Sequence, residues 1–431
     1  MIPKFRSLVA VSFGLVLSVS SARAQEPAPA EPEASGTPTA PVIAPVVAEP
    51  VAAPTPSPAA VPTAEQSVVP PSSSPLRIEG PNGNSIRLGI LLQPQLAIAN
   101  NASPALSGYS KNLYIRRTRI LVGGTILGNI EYFVDTDYPN LFLDTNAGTA
   151  TAPGFVKNTP GMNVQDAFVT WKALGDMLKV DMGYMLPAMA HNALQGAGTL
   201  YGLDYYGYSF QHSNSFGSSG NPIGRDVGLQ LRSLLVDGHL EIRAGMFQGL
   251  RENQTGTDVD ARNMFRLTGR VQINLLDAEP GFFYAGTYLG AKKIASIGFS
   301  GDFQDKYKYF AVDGIVDMPL GPGVVTGQVN VAHWDGGSFI PTLVKQTDIM
   351  AEAGYNFAAF HVSPILRFEK RMGSTPATGA PLVDQTRIGG GLAFWPYGHN
   401  TNVKAFFINV KDSGASKSAN QFNLQWQVFA Y

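Results

Sequence analysis

The chain has 431 residues, 44% hydrophobic and 15% charged, with 46 glycines, 31 prolines, no cysteine and a formal charge of −1. Charged residues fall well below the roughly 25% of ordinary soluble domains, and so much Gly and Pro favours strands and turns over helices. The lack of cysteine excludes disulfide frameworks, thiolate metal centres, iron–sulfur clusters and cysteine nucleophiles. Near neutrality argues against nucleic acid as a partner, because phosphate neutralisation needs a clustered positive surplus.

Residues 1–24 carry Lys4 and Arg6, an apolar run over 8–19 and then Ala22-Arg23-Ala24. This is the layout of a secretory signal peptide cleaved before Gln25; the apolar run is too short for a comfortable span of about 20 residues. Residues 25–75 hold 14 prolines, 11 alanines and five glutamates, with no aromatic and no basic residue. Such a segment cannot bury a core and is expected to be a disordered, extended Pro/Ala-rich periplasmic tether. Residues 76–431 form the third segment. The leader carries three basic residues and the tether five acids, so this part holds a formal +1 of the whole chain's −1.

From Asn84 onward the pattern has period two. In one segment Phe265, Leu267, Val271 and Ile273 alternate with Arg262, Arg266, Arg270, Gln272 and Asn274; in others Leu240, Ile242 and Met246 alternate with Glu241 and Arg243, and Ile130 and Val134 with Glu131, Asp135 and Asp137. One face is apolar and the other wet. Sixteen such segments run from 84–98 to 420–431, joined by alternately short and long connections. That is the signature of an all-β transmembrane antiparallel barrel with turns on the periplasmic side and loops outside. Sixteen to eighteen strands enclose a water-filled channel. The stretch 277–293 is long for a turn and could hide another hairpin, which makes eighteen the rival count.

The final segment ends Trp426-Gln427-Val428-Phe429-Ala430-Tyr431. Trp426, Phe429 and Tyr431 are assigned to recognition by the β-barrel assembly machinery. The alternation slips by one at Phe429.

Over residues 84–431 the chain resembles the phosphate-selective porin O and P family of Gram-negative outer membranes. The likeness rests on Gly89 with Gln93-Pro94, Arg116-Arg117-Thr118-Arg119 before Gly123-Gly124, Asp135-Thr136-Asp137, Gln165-Asp166-Ala167-Phe168, Gly183-Tyr184-Met185-Leu186-Pro187 and Gly224-Arg225-Asp226-Val227-Gly228. It implies a sixteen-stranded, homotrimeric diffusion channel for small anionic solutes in the outer membrane, embedded in its lipid. In the family a loop after the Gly-to-Pro strand folds inward, and basic side chains near the constriction hold phosphate. Here that loop, 187–222, has no Lys or Arg, and its only formal charge is Asp204; it offers Tyr201, Tyr205, Tyr206, Tyr208, Phe210 and Phe216 instead.

Alternation places Arg117, Arg119, Arg232, Arg243, Arg262, Arg266, Arg270, Arg367, Arg371 and Arg387 on the wet face. It places the acids Glu131, Asp135, Asp137, Asp166 and Asp181 mainly on early strands, as an opposing wall. An arginine surplus along the path favours anions, and separated signs would set a transverse field. Lumen ion pairs would cancel both effects. Tyr201, Asp204, Tyr205, Tyr206 and Tyr208 are the constriction candidates. They either stack on solutes or pack the loop against the wall. No Gly-x-Ser-x-Gly, HExxH or phosphate-binding glycine loop occurs, and the six histidines share no ligand spacing, so no enzyme, cofactor or metal is expected. The expected function is passive diffusion of small hydrophilic solutes with mild anion preference. The rival classes are an outer-membrane barrel hydrolase and a structural or adhesive barrel without an open channel.

Overall fold

The computed structural model describes residues 76–100, 109–146, 155–159, 161–206, 224–250, 264–374 and 381–431. The signal and tether assignments, Tyr208, Phe210, Phe216 and Arg262 lie outside the described residues. Sixteen strands build the barrel: β1 (Ser85–Asn100), β2 (Tyr109–Ile126), β3 (Ile130–Asp137), β4 (Asn163–Lys172), β5 (Lys179–Met185), β6 (Asp226–Leu235), β7 (Leu240–Phe247) and β8 (Arg266–Asn274). The second half comprises β9 (Ile294–Gln304), β10 (Tyr307–Leu320), β11 (Gly323–Asp335), β12 (Gln346–Phe357), β13 (Val362–Gly373), β14 (Gln385–Phe394), β15 (Thr401–Asp412) and β16 (Ala419–Ala430).

Each strand pairs antiparallel with its neighbours in the chain, and β16 closes onto β1 from Gln421↔Ala99 to Ala430↔Ile90. The chain is a closed sixteen-stranded antiparallel barrel. A short extra strand, Leu76–Glu79, pairs with the start of β1. Since β2 occupies the other edge of β1 along its length, this strand prolongs the seam beyond the end of β16.

The side-chain period explains the closure. Leu267, Ile297, Phe299, Phe310 and Val312 point outward and are about half exposed, while Asp302 and Asp313, on the same strands as these residues, point inward and are buried. A band of exposed apolar side chains around a polar interior suits lipid as the outer solvent, and a closed sheet leaves no unpaired edge within it. Turns on the side of Ser85 and Tyr431 are tight: Leu127 and Gly128 have φ of 53° and 75°, and Val236, Asp237 and Gly238 have 53°, 53° and 92°. Left-handed pairs of this kind match the twist of a two-strand ribbon.

The long connection on this turn side, 275–293, forms no hairpin, so the count is sixteen rather than eighteen. The segment bends into the lumen instead. Phe429 shows no slip of register: Asn423, Gln425, Gln427 and Phe429 share the inward face, while Phe422, Leu424, Trp426 and Val428 point out. The ring of Phe429 is covered by an inserted loop at Gly198, where a Cβ would lie 2.7 Å from it. The three residues assigned to assembly recognition therefore stand on opposite faces, Trp426 outward and Phe429 and Tyr431 inward.

Because every barrel strand is paired on both edges, unboiled protein in detergent is expected to keep its barrel and migrate differently from boiled protein on a denaturing gel. Equal mobility would count against closure.

Candidate functional site: a divided lumen

Two segments enter the barrel from opposite ends. From the loop side, the connection after β5 runs inward through two short 3-10 turns, His191–Leu194 and Ala197–Thr199. Met189, Ala190 and Ala193 pack against Tyr307 and Tyr309 of β10 and Trp334 of β11. Further on, Tyr201 and Leu203 pack on Ile365, Trp395 and Phe406, with the Tyr201 and Trp395 rings parallel at 6.4 Å. Wall side chains hold the loop by its carbonyls: Lys404 Nζ donates to Leu200 O and Gly202 O at 2.7 and 2.8 Å, and Gln427 Nε2 to Gly198 O at 2.8 Å.

From the turn side, residues 275–293 rise to meet it. Gly196 N donates to Tyr284 O (2.9 Å), Tyr284 N to Leu194 O (3.0 Å) and Gly286 N to Thr199 O (2.9 Å). The buried His191 Nε2 lies 2.9 Å from Glu279 Oε2, and its ring stacks on Tyr284 at 4.5 Å. Burial alone would raise the Glu279 pKa, but His191 beside it and a hydrogen bond from Tyr288 bring it below the ordinary value. Lys179 Nζ donates to Pro280 O at 2.7 Å, and Arg243 Nη1 to Phe282 O at 2.8 Å. Lumen cations thus clamp the inserted backbone, whose carbonyls would otherwise lack donors.

Among the described residues, two cavities open on the lumen beside the inserted segments. A cup of about 300 Å³ on the loop side is lined by Tyr114, Arg116, Asp204, Arg367, Glu369 and Arg387 among others. A vestibule of about 910 Å³ on the turn side is lined by Arg87, Arg119, Phe133, Arg225, Phe429 and Tyr431 among others. Tyr205 lines both, and its hydroxyl donates to Gln195 O at 2.8 Å. Tyr205, beside Asp204, is thus a side chain that the two cavities share. Tyr201 and Tyr206 are buried packing residues instead.

Asp204 is held by Arg117 Nη2 at 2.5 Å and Arg116 Nε at 2.9 Å. Burial alone would raise its pKa, yet Arg116 and Arg117 pull it well below the usual carboxylate range. Strict alternation puts only Arg117 in the lumen. A β-bulge admits both: Leu92 pairs with Thr118 but Pro94 with Ile115, so Arg116 and Arg117 together face Gln93. Two residues opposite one is the definition of a bulge, and Pro94, with no N–H to donate, is the sequence signal for it. Arg367 also donates to the Asp204 carbonyl.

The other wet-face arginines are inward and largely neutralised. Arg266 binds Asp302 at 2.5 and 2.9 Å, and Arg270 binds Asp313 at 2.6 and 2.8 Å. Arg243 pairs with Glu241 at 2.6 Å and Arg232 with Asp181 at 2.6 Å. Arg367 lies 2.7 Å from Glu369, and Arg387 lies 3.8 Å from it; Arg371 donates to Val383 O. The expected opposing acidic wall is not separate. Asp135 and Asp137 flank Arg119 at 3.5 and 3.1 Å, Asp166 pairs with Arg225 at 2.8 Å, and Glu131 with Lys172 at 2.5 Å. Strand register set this: Arg119 lies directly across from Asp137 on β3, and a buried charge is costly unless paired. Alternation alone did not single out Arg225, Lys404 and Arg87 as lumen cations.

Comparison with known proteins yields fold neighbours alone. No protein-family profile matches the chain, and no curated protein matches its sequence. Among solved structures, an anion-selective porin from Comamonas acidovorans is 12% identical over 80% of this chain and 99% of its own, with a TM-score of 0.49. The Salmonella typhi OmpF complex with daunomycin is 12% identical over 82% and 100%, at 0.49. The outer-membrane channel DcaP of Acinetobacter baumannii is 11% identical over 82% and 99%, at 0.48.

Proposed function

We propose that this chain is a porin of the Gram-negative outer membrane, a passive channel for small hydrophilic solutes with mild anion preference. The observation that carries the reading is the pair of cavities stacked through the lumen and meeting at Tyr205, inside a barrel whose outer face is apolar. The turn side would face the periplasm and the loop side the exterior. Anion preference is supported by how the ion pairs are oriented. Arg116, Arg367 and Arg387 line the cup against Asp204 and Glu369, whereas Asp166 and Asp181, the partners of the vestibule cations Arg225 and Arg232, are buried behind them. A solute thus meets more guanidinium than carboxylate. The preference is general rather than phosphate-selective, since the constriction loop through Tyr206 brings one carboxylate and no cation. A homotrimer is carried by the family resemblance alone, and delivery by the β-barrel assembly machinery by the aromatic-ended final strand, Trp426 to Tyr431.

Reversal potentials in a KCl gradient across planar bilayers test the reading. Discrete channels with chloride favoured at about 0.1 M salt are expected, fading at 1 M as the screening length falls to about 3 Å. Absence of discrete conductance, or a cation preference at low salt, would refute it.

A further inference from the structure

The wall of the turn-side vestibule is unlike that of an aqueous pore. Phe133, Phe283, Phe429 and Tyr431 stand half-buried around it, with Phe133 at the centre, its ring centroid 5.5 Å from that of Tyr431 and 5.9 Å from that of Phe283. Ring faces turned to water are unsatisfied apolar surface, and a concave apolar site with a few placed polar groups is the usual form of a small-molecule pocket. Its volume of about 910 Å³ lies in the range of such pockets.

One polar group is placed to orient a ligand. Among the described residues, the vestibule cations Arg77, Lys172, Lys179, Arg225 and Arg232 each have a carboxylate within 2.8 Å, and Arg119 has Asp137 at 3.1 Å. Arg87 has none within ion-pair distance; its guanidinium instead lies 3.9 Å over the centre of the Tyr431 ring. Gly89 gives that ring its seat, since a Cβ there would come within 2.7 Å of the Tyr431 Cβ. The guanidinium covers the ring and also donates a hydrogen bond to the Tyr431 hydroxyl, and the remaining N–H groups of its five-donor fork are left for an anion.

We propose that the vestibule binds single-ring aromatic monoanions, the ring lodging against Phe133, Phe283 and Phe429 and the carboxylate meeting the Arg87 N–H edge. The site deepens the channel reading by naming a solute class that dwells on the turn side of Tyr205. Because Tyr205 narrows the path, occupancy is reached more readily from the turn side than from the loop side.

Benzoate is the probe, with acetate as the ring-less control, on the full-length protein. In planar bilayers benzoate should interrupt the open-channel current, more strongly from the turn side, while acetate at the same concentration should not. Calorimetric titration of benzoate into the detergent-solubilised barrel reads binding whether or not current flows, so a failed channel reading and a failed site are told apart. Loss of one charge-assisted contact in Arg87→Gln should weaken benzoate about ten-fold or more. Phe133→Leu should weaken benzoate and leave the acetate response unchanged. Equal responses to benzoate and acetate, or wild-type benzoate affinity in a folded Arg87→Gln barrel, overturn the proposal.

Discussion

Tyr205→Ala is expected to raise the single-channel conductance roughly two-fold or more, because the ring it removes is the side chain shared by the two cavities. The neighbouring barriers stay in place: Asp204 remains between Arg116 and Arg117, and the loop remains anchored through Lys404 and Gln427. Tyr205→Phe is the matching control. It keeps the ring and loses the hydroxyl with its hydrogen bond to Gln195 O, a net cost of about 1 kcal/mol, so its conductance should stay near that of the wild type. An alanine variant with unchanged conductance would place the narrowest point elsewhere.

The second large effect concerns Arg270. Its guanidinium binds both oxygens of the buried Asp313, and also Met189 O in the inserted loop at 3.1 Å. In Arg270→Leu the carboxylate stays behind in a buried site, which costs about 3–5 kcal/mol. The urea midpoint of the detergent-solubilised barrel should fall accordingly, and adding Asp313→Leu should restore much of it, because an apolar pair replaces an unpaired charge. A midpoint near wild type, together with a clear shift in reversal potential at low salt, would show instead that Arg270 faces the solute as a free charge. That outcome would restore the expectation that an arginine surplus along the path, Arg266 and Arg270 included, favours anions.

The two predictions differ in how far they could be read from residue order. Period two assigns each residue to a face, and for Arg266 and Arg270 the assignment is strong, since an arginine on the lipid side costs about 2–4 kcal/mol near the midplane. The face is correct for both. Alternation is silent on which aspartate lies across the next strand, and that decides whether a lumen arginine attracts solute or closes an ion pair. Register brings Arg119 opposite Asp137, and the closure of the cylinder carries the inserted loop to Arg116 and Arg117.

The sequence by itself determined the antiparallel order and the apolar outer face and narrowed the strand count to sixteen or eighteen, because these follow from local periodicity and from where chain-breaking residues fall; the inward loop was implied only by the family resemblance. Only the tertiary structure decided four things: that residues 275–293 enter the lumen, that Arg116 joins Arg117 through a bulge, that Phe429 and Tyr431 point inward, and that most lumen arginines are already paired. Each depends on contacts between segments far apart in the chain. The physical reason is that a wet barrel face dictates only polarity, whereas the energy of a buried charge or ring depends on the partner that closure of the sheet brings to it.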